Sequence, residues 1–257
     1  MIAPLRRALL AFAVLLPAFA APPSDLARAL ENLRDQRSYS WEMINTDPGP
    51  VAQKVQTRRG AVTAVVQNLS PNIKGQLDRQ GDILITREWA DGLVLKTALA
   101  ADGAMVTLTP EGWMSDREIL TAQADERLRS TTPTPRMLWL RRADRPEVLR
   151  PDRELTPLLA ESVTFEFNGQ SYLARSRPDE TARAGEAAAE NLLFTLNLRN
   201  GVIRDYEVVR DTTQRVTRSR VNLALSDHRT VILSYIPVNR IDIPDEARAK
   251  LKGAKGR

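Results

Sequence analysis

Residues 192–209 read LLFTLNLRNGVIRDYEVV, and the reading of this stretch decides the fold. Leu192, Phe194, Leu196 and Leu198 alternate with Leu193, Thr195, Asn197 and Arg199; beyond Asn200-Gly201, Val202, Arg204, Tyr206 and Val208 alternate with Ile203, Asp205, Glu207 and Val209. A period of two sends successive side chains to opposite faces of a strand, so the stretch predicts a β-hairpin. A two-residue turn on Asn200-Gly201 sets Phe194 opposite Glu207 and Leu196 opposite Asp205. A three-residue loop with Gly201 left-handed sets Leu198 opposite Val202, Phe194 opposite Tyr206 and Leu192 opposite Val208, apolar against apolar. The three-residue loop is therefore the expected register. It places Arg204 on the apolar face, where an unpaired charge is costly.

Working outward, Val221, Leu223 and Leu225 alternate with Arg220, Asn222 and Ala224. Ser226-Asp227-His228-Arg229 then reads as a turn, Thr230–Ile236 as a returning strand, and Pro237 as its end, since proline has no N–H for a ladder. Upstream, Val163, Phe165 and Phe167 run into Asn168-Gly169, where a two-residue turn sets Phe165 opposite Tyr172 and Val163 opposite Ala174. Short strands are expected at Tyr39–Met43, Val51–Arg58, Ala61–Val66, Ile73–Leu77, Ile83–Trp89, Leu93–Leu99 and Met105–Thr109. Turn signals such as Asp47-Pro48-Gly49-Pro50, Asp91-Gly92 and Asp102-Gly103 separate them.

Helices bracket and divide these strands. Ser24 is positioned to cap Ser24–Gln36, whose Leu26, Ala29, Leu30 and Leu33 fall at helical spacing. Ser115-Asp116-Arg117-Glu118 is a capping box ahead of a helix to about Arg129. Thr134-Pro135 opens a second central helix with Met137, Leu138 and Leu140, and Leu155, Leu158 and Leu159 mark a third. Ser176–Glu190 is either a surface helix interrupted at Gly185 or a mobile loop, and Pro244 opens a last helix over Asp245–Leu251. The expected class is α+β, mostly antiparallel β: a strongly curved, unclosed half-barrel sheet with helices against its concave face.

Residues 1–21 read as a signal peptide. Arg6 and Arg7 precede the apolar run Ala8–Ala20, and Ala18-Phe19-Ala20 offers small residues for cleavage. The run is shorter than the roughly 20 residues a membrane span needs. The expected organisation is 1–21 signal peptide, 22–251 one domain and 252–257 a basic tail, in a periplasmic or secreted bacterial protein with no stable membrane span after cleavage. Among 257 residues there are 37 Lys and Arg against 32 Asp and Glu, a formal charge of +5 that falls to +3 without Arg6 and Arg7. So mild a charge does not indicate nucleic-acid binding.

The chemistry-bearing residues argue against catalysis. There is no Cys and one His, His228, expected in the turn above, so a metal site would rest on carboxylates with no clustered spacing. No P-loop, dinucleotide fingerprint or nucleophile elbow is present. Asp205 with Glu207, Asp242 with Asp245 and Glu186 with Glu190 are carboxylate pairs, and alternation explains the first as a solvated face. Trp41, Trp89, Trp113 and Trp139 are expected to pack the core, ligand stacking being the other use of such rings. No catalytic residue, metal or cofactor is expected.

The order of these elements resembles the lipoprotein-carrier (LolA-like) half-barrel family. The resemblance is carried by the leader, the amphipathic first helix, Tyr39-Ser40-Trp41, the strand meander, Glu111-Gly112-Trp113 before the Ser115 cap, and Ile241-Asp242-Ile243-Pro244-Asp245-Glu246-Ala247 running into the last helix. This chain differs from the carrier in length and in its extra central helices. The resemblance implies a curved sheet wrapping helices around an apolar cavity for acyl chains. The function it implies is a non-enzymatic exported binding protein for a lipid or lipoprotein-like ligand; the other reading is a periplasmic structural or partner-binding module with a self-filled core. The expected ligand wall is Trp41, Trp89, Phe194, Leu196, Tyr206 and Leu223, with Arg204 a polar group at its edge and Leu26, Leu30 and Leu138 on the lid.

Overall fold

The computed structural model describes residues 22–46, 51–57, 60–66, 70–129, 132, 134–143, 150–176, 191–216 and 221–254. The expected signal peptide, the turn at 47–50, the alternatives for 177–190 and tail residues 255–257 lie outside them. Helix α1 (Ser24–Asp35) leads into β1 (Tyr39–Asn45), then the pair β2 (Val51–Thr57) and β3 (Gly60–Val66). A meander follows: β4 (Asn72–Leu77), β5 (Ile83–Glu88), β6 (Val94–Leu99), β7 (Met105–Thr109) and β8 (Gly112–Ser115). Next come α2 (Asp116–Arg129), α3 (Pro135–Ala143) and α4 (Pro151–Glu161). A second meander runs through β9 (Ser162–Phe167), β10 (Ser171–Ser176), β11 (Asn191–Arg199), β12 (Val202–Val216) and β13 (Val221–Ser234), and α5 (Asp245–Ala254) comes last.

Eleven strands form one unclosed antiparallel sheet in the order β8-β7-β6-β5-β4-β1-β13-β12-β11-β10-β9, with β2–β3 a separate two-stranded sheet. Strand β1 is the seam, pairing with β4 on one side and β13 on the other. The chain thus meanders out to one edge at β8, crosses as three helices, and returns from the other edge at β9. Helices α1 and α4 cover the centre and β9 side of one face, with Leu26, Ala29, Leu30, Leu33, Leu155, Leu158 and Leu159 in the cluster that holds Trp41, Phe194, Leu196 and Tyr206. Helices α2 and α3 continue that layer over Trp89 and Leu95. Adjacent residues Trp113 and Met114 point to opposite faces, and Trp113 joins Ala98, Val106 and Leu251 in a cluster that puts α5 on the other side.

Several expectations change in detail. The 192–209 hairpin turns on Asn200 and Gly201, both left-handed at φ 54° and 74°, as a two-residue turn of type I′ requires. Leu198 then pairs with Ile203, and the register shifts so that Asn197 pairs with Asp205, Leu196 with Tyr206 and Phe194 with Val208. The extra residue is Arg204. Its bulge turns the ladder back so that Tyr206 and Val208 share the buried face with Phe194, and it leaves Arg204 itself outside, with 62% of its side chain exposed. The β9–β10 turn is displaced too: Asn168 Oδ1 accepts from the Gln170 and Ser171 N–H groups, so Gly169-Gln170 form the turn, Tyr172 pairs with Phe167 and Ala174 with Phe165.

No turn interrupts 226–229. Strand β13 runs straight through because β12 is long enough to pair with it from Asp205 to Val216, and His228 sits opposite Val209. Ser24 lies inside α1 and makes no side-chain cap, Pro23 holding that position. Gly112–Ser115 forms a strand not foreseen in the sequence. The capping box is as expected: Ser115 N–H donates to Glu118 Oε2 at 2.7 Å and Glu118 N–H to Ser115 Oγ at 3.4 Å. Lys252, Gly253 and Ala254 extend α5 rather than forming a tail.

Gly75 is the glycine whose missing side chain the core requires. It pairs with Trp41 across β4–β1, and a Cβ there would stand 2.1 Å from the indole ring. Gly75→Ala is expected to lower stability by ~2–3 kcal/mol through overpacking. Denaturant unfolding checks it, and a loss under ~0.5 kcal/mol, the range of neutral surface changes, would show that the indole does not fill this space.

Candidate functional site

Helix α4 opens with Pro151-Asp152-Arg153-Glu154, placing two carboxylates in its first turn, where free N–H groups and the helix dipole favour negative charge. Both are buried, and each reaches a different part of the sheet. Tyr39 of β1 donates its hydroxyl to Asp152 Oδ1 at 2.7 Å. Arg150 clamps the same carboxylate, Nε to Oδ1 at 3.0 Å and Nη2 to Oδ2 at 2.9 Å. Tyr206 of β12 donates to Glu154 Oε2 at 2.6 Å, and Arg229 of β13 donates Nη2 to Glu154 Oε1 and Nη1 to Asp227 Oδ2, the latter at 2.7 Å. Charge-assisted bonds of this kind are the strong class, and here they are shielded from water.

Helix α1 joins the same system. Arg34 Nη2 donates to Thr156 Oγ1 of α4 at 2.8 Å, and Tyr172 of β10 donates to Asp25 Oδ2 at 2.5 Å. Three strand tyrosines therefore donate hydrogen bonds to carboxylates on the two covering helices. The fourth, Tyr235, donates to the Ile203 carbonyl at 2.6 Å. Burial, reinforced by Asp152, pushes the Tyr39 hydroxyl well above its usual range, and burial with Glu154 does the same to Tyr206. The Asp25 hydrogen bond, then burial, raises Tyr172 to about 12, and burial raises Tyr235 to about 12.

Around this cluster lie buried polar atoms with no hydrogen-bond partner among the described residues. They are Trp41 Nε1, Asp227 Oδ1 and Arg229 Nε. Trp41 is 3% exposed, its ring 5.5 Å from that of Tyr39 and seated over Gly75. Among the described residues no group of three or more His, Asp or Glu side chains is placed to hold a metal ion.

Of the wall read from the sequence, Trp41, Phe194, Leu196 and Tyr206 come together beneath α1 and α4, as do Leu26 and Leu30 from the covering side. Trp89 belongs to a different cluster under α3, with the guanidinium groups of Arg87 and Arg142 over its ring at 5.6 and 5.3 Å. Leu223 lies on β13 opposite Gln214, its side chain outside the described residues. Arg204 is on the outer surface, 3.7 Å from Asp205, because the bulge turns it away from the apolar face. Leu138 is half-exposed on α3, off the buried Met137, Leu140 and Ala143 stripe. The sequence reading passed over Asp152, Glu154, Asp227 and Arg229. Two of them were within reach of periodicity: counting back from Leu155, Leu158 and Leu159 by three, four and seven lands on Asp152 and Glu154.

Compared with protein-family models and with curated proteins, the chain matches none.

All four tyrosines of the chain are thus harder to ionise folded than unfolded. Their raised values contribute stability that is fully present below the unfolded pKa of about 10 and is lost as pH rises through the folded values. In an alkaline titration, tyrosinate absorbance is expected to stay flat around pH ~10 while circular dichroism remains native, and to appear near pH ~12 or with unfolding. A tyrosine ionising near pH ~10 in the native protein would contradict the hydrogen-bond assignments.

Proposed function

We propose that this chain is an exported, periplasmic, non-enzymatic binding protein of the lipoprotein-carrier type, which takes a lipid or lipoprotein-like acyl ligand between the sheet and the helices α1 and α4. The observation that carries the reading is the Trp41 indole N–H, buried among apolar side chains without an acceptor among the described residues. An orphaned buried donor costs about 1–3 kcal/mol, and a carbonyl or carboxylate oxygen of a bound acyl compound would satisfy it. Helix α4 supports the same idea. Its first turn is fastened by directional polar contacts, whereas the side chains of Leu155, Leu158 and Leu159 lie in the apolar cluster, where an acyl chain can replace their packing. Each methylene so buried is worth ~0.8 kcal/mol.

A specific observation favours a second reading. Trp41, Phe194, Leu196 and Tyr206 leave almost no surface to solvent, as expected of a module whose own side chains fill the core and whose outer surface meets a partner. A fluorescent fatty-acyl probe separates the two. The carrier reading expects saturable binding, lost in Leu196→Trp, where the added bulk occupies the compartment. Trp41→Phe keeps an aromatic ring, smaller than the indole, and removes the N–H; it is expected to weaken binding ~5–10-fold, about the worth of one hydrogen bond. Absence of probe binding to the unmodified protein would overturn the carrier reading and leave the packed module.

A further inference from the structure

Helix α2 is apolar on two faces. Ile119 and Ala122 point inward with Gln123 and Glu126, while Leu120, Ala124 and Leu128, four residues apart, run along the outward side. Leu120 is 53% exposed and Leu128 is 87% exposed. Helix α3 folds back along α2, with Gln123 Nε2 donating to the Leu140 carbonyl at 3.0 Å and Thr134 Oγ1 to Glu126 at 2.6 Å, and it turns Leu138 outward, 51% exposed.

Five of the six arginines of this hairpin divide in the same way, and the sixth, Arg129, is exposed on the side of α2 away from Leu120. Arg136 and Arg142 are engaged by Glu111, Glu126 and Asp91. Arg117 and Arg127 flank the outward leucine row of α2, Arg141 stands one turn beyond Leu138, and all three are exposed and form no salt bridge with a described residue. Asp125 is exposed too, away from Leu120 but one turn before Leu128. A surface helix usually turns polar side chains to water. Leucines set between outward guanidinium groups instead suit a boundary where acyl chains take the apolar side chains and phosphates take the arginines.

We propose that the α2–α3 hairpin is a docking surface for an anionic lipid bilayer, with Leu120, Leu128 and Leu138 reaching below the headgroups and Arg117, Arg127 and Arg141 pairing with lipid phosphates. Binding is then peripheral and salt-sensitive, each arginine adding to the attraction of the negative surface. The surface lies outside the compartment beneath α1 and α4, so it stands whether or not that compartment takes an acyl chain.

Vesicle flotation tests this with the chain from Pro22 onward and no acyl probe present. At low salt, ~5-fold or more protein is expected to float with phosphatidylglycerol–phosphatidylcholine vesicles than with phosphatidylcholine alone. Paired Leu120→Asp and Leu128→Asp substitutions are expected to cut that binding ~5-fold or more with circular dichroism unchanged, the side chains being exposed. Paired Arg127→Glu and Arg141→Glu substitutions are expected to abolish the preference for anionic lipid. Equal flotation with both vesicle types, flotation that survives either pair of substitutions, or no flotation at all would overturn the proposal. So would a protein partner that holds this face in place of lipid.

Discussion

The contact of Glu154 with Tyr206 and Arg229 is the interaction on which the covering layer depends. It joins the first turn of α4 to two neighbouring strands, and it buries a carboxylate and a guanidinium together. Burying either charge alone is expensive, so the pair is far stronger as a constraint than as a net source of stability. Apolar contacts hold α4 down without choosing a position along the sheet. The paired charges choose it, because a shift of one residue strands both. Asp152 with Tyr39 and Arg150 repeats the device at β1, and at β10 the exposed Asp25 accepts a hydrogen bond from Tyr172 with no guanidinium clamp among the described residues. The layer is therefore apolar in area and polar in address.

The sheet beneath makes these addresses available through two irregularities. Arg204 is inserted as a bulge, and only that extra residue returns Tyr206 to the face where Glu154 waits. Gly75 leaves room for the Trp41 ring, which lies next to Tyr39 on the same strand face. Strand β1 carries both Tyr39 and Trp41 and also seals the two meanders together. A fault at this seam disturbs the sheet, the α4 contact and the buried indole at once.

Much of this was legible in the amino-acid order, and the failures have physical causes. Alternation at Leu192–Leu198 and Tyr39–Met43 and helical spacing at Leu26–Leu33 and Leu155–Leu159 identify the strands and helices, because burial of one face dictates period. Register was less accessible. Asn200-Gly201 supports two turn lengths, and the bulge that decides the facing of Tyr206 lies three residues beyond the turn. Ser226-Asp227-His228-Arg229 looks like a turn by composition, yet Asp227 and Arg229 are polar because they join the buried cluster and β12 holds the ladder. Composition cannot distinguish a solvated charge from one paired inside. For the same reason the carboxylates that face the sheet, Asp152 and Glu154, escaped notice while Asp205 and Glu207 drew it. Of the residues expected to line a ligand wall, Trp41, Phe194, Leu196 and Tyr206 share one cluster, whereas Trp89 lies in another with Arg87 and Arg142 over its ring.

The central claim is that paired buried charge, more than apolar area, sets the seat of α4 on the sheet. A double-mutant cycle on Glu154→Leu and Arg229→Leu, read by denaturant unfolding, tests it most directly. Each single change is expected to cost ~3 kcal/mol or more. Among the described residues, Arg229→Leu leaves the Glu154 carboxylate with only the Tyr206 hydroxyl, and Glu154→Leu leaves Arg229 with only Asp227. The double change is expected to cost less than the two together by at least ~1.5 kcal/mol. Costs that simply add, to within ~0.5 kcal/mol, would mean the two residues act independently and would contradict the account.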